Sequence, residues 1–271
     1  PISLPPLMEQ RRIADKLDAL LGRIEASRAR LERVPALLRR FRQAVLAAAT
    51  AGELTAEWRE EHPDQAATDV MASQLSGFLA PDEYVDEALP TPWLSVPVGR
   101  LGSVFLGRQR SPENHSGPYM RPYVRAANVT WQGWDFNDVK EMNFNPSDFA
   151  KYRLQLGDVL VNEGSGSADE VGKPAIWRGE IENCCFQNTL LCVRPKLASS
   201  EYLYLVFLHA AMSKLFVGDT RGVNIFHIGK ERFSAFPVPL PSPAEQQEIV
   251  RRVGELFSLA DAVQARYAAA W

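Results

Sequence analysis

Four stretches of the chain gather side chains suited to binding rather than to making or breaking bonds. GRQRSPENHSG (107–117) carries Arg108, Gln109, Arg110, Asn114 and His115 between two glycines. RPYVRAANVTWQGW (121–134) carries Arg121, Arg125, Asn128, Trp131 and Trp134. NEGSGSADEVGK (162–173) sets Asn162, Ser165, Ser167 and Lys173 on a glycine-rich loop beside Glu163, Asp169 and Glu170, and DTRGVNIFHIGK (219–230) supplies Arg221, Asn224, His227 and Lys230. Guanidinium and ammonium groups pair with anions, and amides present a donor beside an acceptor. Each residue also has an ordinary use: a loop arginine can be solvated, a tryptophan can pack a turn, and a loop histidine can satisfy its own backbone.

Catalytic chemistry has no comparable constellation. His62, His115, His209 and His227 lack ligand spacing, and Cys184, Cys185 and Cys192 are an odd set without a zinc pattern. The cysteines read as buried residues of a protein kept in a reducing compartment. Cys184 and Cys185 have no activating base nearby in sequence, and GSGS lacks the lysine spacing of a nucleotide-binding loop. No methyltransferase, nuclease or Walker motif is present, so the chain is expected to be no enzyme and to need no cofactor or metal.

At 271 residues, 46% hydrophobic and 23% charged, the chain has material for roughly two domains, or one with a large appendage. No apolar run approaches the roughly 20 residues of a membrane span, and no secretory signal is seen, which predicts a cytoplasmic location. Net charge is −3, but it is unevenly spread: residues 1–50 hold ten Lys/Arg against five Asp/Glu, and residues 51–90 hold one against ten. Local placement of charge, rather than the total, therefore decides whether an anionic partner fits.

The elements that must position the loops announce themselves by repetition. PISLPPLMEQRRIADKLDALLGRIEASRAR at the start matches PVPLPSPAEQQEIVRRVGELFSLADAVQAR near the end without a gap, Glu9 aligning with Glu245 and Arg30 with Arg266. In the first copy Ile13, Leu17, Leu20, Ile24, Leu31, Val34, Leu38, Phe41, Val45 and Ala48 fall at alternating spacings of four and three; in the second, Ile249, Val253, Leu256, Ala260, Val263 and Tyr267 do. That is a coiled-coil seam, which needs a partner helix. The simplest partner for each copy is the other, in an antiparallel pair joining Ile13, Leu17, Leu20, Ile24 and Leu31 to Ile249, Val253, Leu256 and Val263. Ser242 and Glu245 form a capping-box signature with Pro243 at the first helical position. Pro35 predicts a kink or restart in a first helix that would otherwise span about 60 Å over residues 9–49. The arginine-rich outer face of this helix reads as solvated, or as a surface that meets a partner subunit or DNA.

Between the repeats, an acidic connector over 53–90 reads as a surface excursion with a short helix near Thr68–Leu75. From Trp93 onward, runs such as SVFLG, DVLVNEG, KPAIW and NTLLCVRP are broken by Gly, Pro, Asn and Asp clusters, and a helix is predicted over Ser200–Val217 with Leu203, Val206, Phe207 and Leu215 inward. The predicted fold class is α/β (α+β): a globular domain over 91–241 flanked by helical arms over 1–52 and 242–271 that pack as an antiparallel coiled coil.

The phrases PLPSPAEQQEIV and EQRRIADKLDALLGRIEASRARLERVPALLRRFRQAVLAAATAGELT resemble the conserved regions of the DNA-specificity subunit of type I restriction–modification systems. MRPYVRAANVTWQGWDF, LQLGDVLVNEGSGSADEVGKPAIW, FQNTLLCVRP and FSAFPVPLP resemble, in layout, a target-recognition domain of that family. The resemblance implies one recognition domain reading one half of a bipartite double-stranded DNA target. It also implies partner subunits: a modification (methyltransferase) subunit using S-adenosylmethionine, and a restriction subunit. The mid-motif start at Pro1 suggests one half of a longer subunit rather than a short subunit that associates with itself through its helices. Under this resemblance the DNA-binding candidates are Arg108, Gln109, Arg110, Arg121, Arg125, Asn128, Ser165, Ser167, Lys173, Arg221, Asn224 and Lys230, with Arg108, Arg110, Arg221 and Lys230 foremost. The alternative is a coiled-coil dimerising protein whose globular domain binds protein or ligand instead of DNA.

Overall fold

The computed structural model describes residues 4–66, 68–75, 88–165, 170–216 and 226–269. They divide into a helical unit, Pro1–Ala44 with Glu255–Trp271, and an α/β unit, Val45–Gly254. Helix α1 (Leu7–Leu31) is followed by α2 (Val34–Thr50), so the first heptad run breaks at Glu32–Arg33 and restarts with Pro35 in the first turn of α2. There the missing N–H of proline falls among groups that lack an intrahelical partner in any case.

Short helices α3 (Ala56–Glu61), α4 (Pro63–Ala66) and α5 (Asp69–Leu75) occupy the acidic connector. Strand β1 (Leu94–Pro97) leads through α6 (Val98–Leu101) into β2 (Gly102–Leu106), β3 (Met120–Val124), β4 (Val129–Thr130), β5 (Gly133–Trp134) and β6 (Lys140–Asn143). Helix α7 (Pro146–Tyr152) precedes β7 (Val159–Asn162), β8 (Gly164–Ser165), β9 (Pro174–Ile176), β10 (Cys185–Phe186) and β11 (Leu190–Pro195). Then come α8 (Ser200–Met212), β12 (Phe226–His227), α9 (Lys230–Ser234), β13 (Pro237–Leu240) and α10 (Pro243–Ala269).

The central sheet is antiparallel in the order β2-β11-β7-β9, and a smaller sheet runs β10-β3-β6 with β10 parallel to β3. Val159, Leu160, Val161, Leu190, Leu191, Cys192 and Val193 are buried on both faces, as their continuous apolar runs require. Leu154, Leu160, Trp177, Phe186 and Leu190 share a core with Trp134 and Phe136 packed against it. Asp158, fully buried, is neutralised by Arg194 through two 2.8 Å contacts. Strands β1 and β13 pair, which places the entry of the α/β unit beside its exit; their prolines are tolerated because the ribbon has only two strands and both are edges.

The predicted helix over Ser200–Val217 ends at Met212, and Leu215 is exposed while Leu203, Val206 and Phe207 are buried. The connector is less of a surface excursion than its charge suggests: Thr55, Ala66, Thr68, Met71 and Leu75 are buried. The connector also clasps the start of α10 through Thr55 and Arg59. The buried carboxylate of Glu245 accepts from Thr55 Oγ1 (2.7 Å), Arg59 Nε (3.0 Å), Arg59 Nη2 (2.9 Å) and Trp93 Nε1 (2.8 Å). Glu245 N–H donates to Ser242 Oγ at 3.2 Å, one arm of the capping box. The other arm is replaced, because the glutamate side chain is given to the clasp. Gln246 accepts from Ser199 N–H and donates to the Pro241 carbonyl.

The long helices pack against each other, but the expected residues of the first copy take no part. Helix α10 packs on α2, with Arg42 Nη2 at 2.5 Å from Asp261 and 3.1 Å from Gln264. Ile249 and Val253 are buried and Leu256 is half-buried. Ile13, Leu17, Leu20, Ile24 and Leu31 on α1, and Val263 on α10, are exposed. The register explains the difference. Arg42 meets Asp261 and Gln264, so in this antiparallel register the described part of α10 lies along α2 and does not reach the level of Leu31. Copies related by sequence do not face each other here; in an antiparallel pair the start of the second copy faces the end of the first helical run.

Candidate nucleic-acid interface

Two of the four basic loops leave one end of the central sheet, and the segment that follows β3 of the smaller sheet meets them there. Leu106 at the end of β2 and Asn162 at the end of β7 lie opposite Leu191 and Leu190 at the start of β11. The turn that opens β11, Gln187–Asn188–Thr189, is their common neighbour. Arg108 N–H donates to the Phe186 carbonyl and its carbonyl accepts from Asn188 N–H, both at 3.0 Å. Gln187 N–H donates to the Val124 carbonyl (2.9 Å), and Ala126 N–H donates to Thr189 Oγ1 (3.0 Å). Glu163 N–H donates to the Thr189 carbonyl (3.0 Å). A Cβ at Gly107 would overlap the Gln187 carbonyl, so the first loop approaches the turn as only glycine allows. The fourth loop joins through β12, which pairs with β8, through Ile228 N–H donating to the Glu163 carbonyl, and through His227 Nδ1 at 3.0 Å from Glu163 Oε2. All four loops are thus tied to one place.

The side chains on them separate into two groups. Several candidates are structural. Arg108, mostly buried, forms an ion pair with Asp148 (2.8 Å), donates to the Asn143 carbonyl and to Asn114 Oδ1, and lies over the Phe144 ring. Arg125 pairs with Asp138 at 2.5 Å, and Asp138, also hydrogen-bonded to Lys140, is held below the usual carboxylate range, that lysine being the first cause. Asn128 is buried; it accepts from Arg125 N–H and donates to the Asp135 and Asp138 carbonyls, closing its own loop. Lys173 is buried against Glu170. Trp134 packs edge-on to Trp177 and donates to the Ile176 carbonyl, whereas Trp131 is exposed at the tip of the β4–β5 hairpin.

The second group is available. Gln109, Arg110 and Lys230 are exposed, Arg110 holding only His115 (3.1 Å) among the described residues. Arg121 stands on β3 with a buried Nε that has no hydrogen bond, its guanidinium 5.2 Å from the centre of the Phe149 ring; Arg153 lies 5.5 Å from the same ring. Ser165 sits in β8 by its backbone; Ser167, Arg221 and Asn224 lie outside the described residues. Gln187 and Asn188, half-buried at the junction of the loops and without side-chain partners among the described residues, were not among the sequence candidates. Their signal was a Gln-Asn-Thr turn between two apolar runs, which reads as punctuation rather than as a site.

The three cysteines are held as thiols. Burial, the first cause in each, pushes the Cys184 and Cys185 thiols up to about 12 and Cys192 well above its ordinary value, so none supplies a thiolate near neutral pH. Among the described residues no group of His, Cys, Asp and Glu is arranged to hold a metal ion. No described helix is long and apolar enough to cross a membrane.

The family profile described as the type I restriction modification DNA specificity domain matches residues 94–267, from β1 through α10. The chain belongs to that family. It is 32% identical over 268 residues to the type I restriction enzyme EcoKI specificity subunit of Escherichia coli (strain K12), and 29% identical over 281 residues to the StySPI specificity subunit of Salmonella potsdam. Each match takes in 97% of this chain and 52% of the relative, so the chain spans about half the length of these relatives. In fold it is similar to the HsdS subunit from Thermoanaerobacter tengcongensis (TM-score 0.56, 20% identity, 97% of this chain and 54% of that one). A chain solved in a study of the assembly and conformational transition of a type I R-M system gives TM-score 0.57 at 22% identity, covering 98% of this chain and 56% of that one.

Proposed function

We propose that this specificity domain binds double-stranded DNA with the loop end of its α/β unit and reads one half of a bipartite target, without catalysing a reaction itself. The observation that carries the reading is the joining of three basic, amide-bearing loops at the Gln187–Thr189 turn, with the fourth tied to them through Glu163, in a chain of the DNA-specificity family. Phosphate grips set the orientation of a protein on a duplex, and groups on rigid supports read the bases. Arg110, Arg121 and Lys230 suit the first task. In this reading residues 91–241 form the recognition domain. The helices carry the partner contacts, with a modification subunit supplying methylation and a restriction subunit supplying cleavage.

The exposed seam of α1 supports a helical partner. Gln10 donates to the Pro5 carbonyl at 2.7 Å, as Gln246 donates to Pro241, so the first copy of the motif is preformed. Its Glu9, however, meets only Arg12 at 3.5 Å among the described residues. A second α/β unit offering the Thr55–Arg59–Trp93 kind of clasp would fit it.

The test is binding of duplex DNA across a salt series. The expected outcome is weak, sequence-independent affinity for the isolated chain that falls linearly in log–log form with salt. Absence of any salt-dependent binding, alone or with a modification subunit, would favour the dimerising protein-binding alternative.

A further inference from the structure

We propose that Gln187 and Asn188 are specificity-determining residues, and that one of their amides reads the major-groove edge of an adenine. The inference rests on the DNA-binding reading and goes further, assigning base choice to a turn outside the four basic loops. Three observations carry it. The backbone of the turn is fixed from several sides at once, by Arg108, Val124, Glu163 and its own Leu190 N–H to Gln187 carbonyl bond (3.0 Å). The two residues are half-buried and their amides are unpartnered among the described residues, an arrangement that leaves hydrogen-bonding capacity unused. And the forked donors expected to read bases in the neighbouring loops are already taken, Arg108 by Asp148 and Arg125 by Asp138.

An amide presents a donor and an acceptor side by side in one plane, which matches the N6–H donor and N7 acceptor of adenine. A reader must also be held in place, since a mobile side chain loses entropy on binding and tolerates the wrong base. The exposed Arg110 and Lys230 suit phosphates; the turn suits a base.

The test uses the full chain assembled with a modification subunit, and selection of bound duplexes from a random pool. Gln187→Met and Asn188→Leu keep size and remove the amide, and the backbone bonds of the turn survive either change; thermal melting confirms that each variant folds. The expected result is that one of the two variants loses about 5- to 150-fold discrimination at one A·T pair, while its salt slope stays at the wild-type value. Wild-type base preference in both variants, or affinity lowered equally on every duplex, would overturn the assignment while leaving DNA binding intact. A wild-type complex that enriches no motif would overturn the DNA-binding reading itself, and this inference with it.

Discussion

Arg108 and Arg110 differ by two positions and by everything that matters to a ligand. The first is mostly buried on Asp148 and the Asn143 carbonyl; the second is exposed beside His115. Arg108→Ala is therefore expected to destabilise the chain by about 1.5–3 kcal/mol through lost charge-assisted hydrogen bonds, measured by denaturant unfolding. Arg110→Ala should leave the fold unchanged, lower DNA affinity alike on every sequence, and reduce the salt slope by about one unit, measured by titration at several salt concentrations. The loops that bear basic residues were legible from glycine-bounded composition. Which arginine stays free was not, because Asp148 and Asp138, the carboxylates that capture Arg108 and Arg125, reach them only through the fold. Gln187 and Asn188 escaped for the opposite reason: two uncharged residues in a turn carry no compositional signal until three loops are seen to meet there.

Glu245 shows the same limit among the helices and connectors. The repeated Glu-Gln pair was legible as a repeat and as a helix start, and the break at Pro35 followed from the missing N–H. The clasp was not legible, since Thr55 and Arg59 come from an acidic stretch whose composition reads as solvated, and Trp93 opens the next domain. Removing one partner of a buried, hydrogen-bonded charge leaves the others unpaired, so Glu245→Ala should cost about 3–5 kcal/mol of stability. Glu9→Ala, at the matching position of the first copy, should stay within about 0.5 kcal/mol in the isolated chain. Denaturant midpoints of the two variants check both.

Farther along α10, Glu248 is lowered from its ordinary 4.5 to about 2, first by its hydrogen bond to Arg251 and then by that to Arg252. A carboxylate lowered in the folded state adds stability that is complete above its ordinary pKa and is lost as pH falls toward 2. Glu248→Gln should accordingly narrow the stability difference between pH 6 and pH 2.5, measured by urea unfolding at both. On α1, Leu20→Asp should leave the isolated chain's stability unchanged, because Leu20 is exposed. It should weaken assembly with a helical partner, where the charge would be buried unpaired.

For the whole molecule, the heptads and the strand grammar foretold an α/β domain between paired helices, and the pairing of α10 with α2 agrees with that architecture while moving the seam. Sequence identity between two repeats says that they do equivalent jobs; the register decides whether they meet. What the α/β unit adds is one end at which loops from β2, β3 and β7 are joined through a single turn, with the β12 region tied to the β7 loop. The central claim is that this surface selects DNA by sequence, and the most direct measurement is selection from a random duplex pool by the chain assembled with a modification subunit. The account predicts enrichment of one short motif, with Arg110→Ala weakening binding without changing the motif. A pool recovered without any preferred sequence, or a motif unchanged when the α/β unit is exchanged for that of a relative, would contradict it.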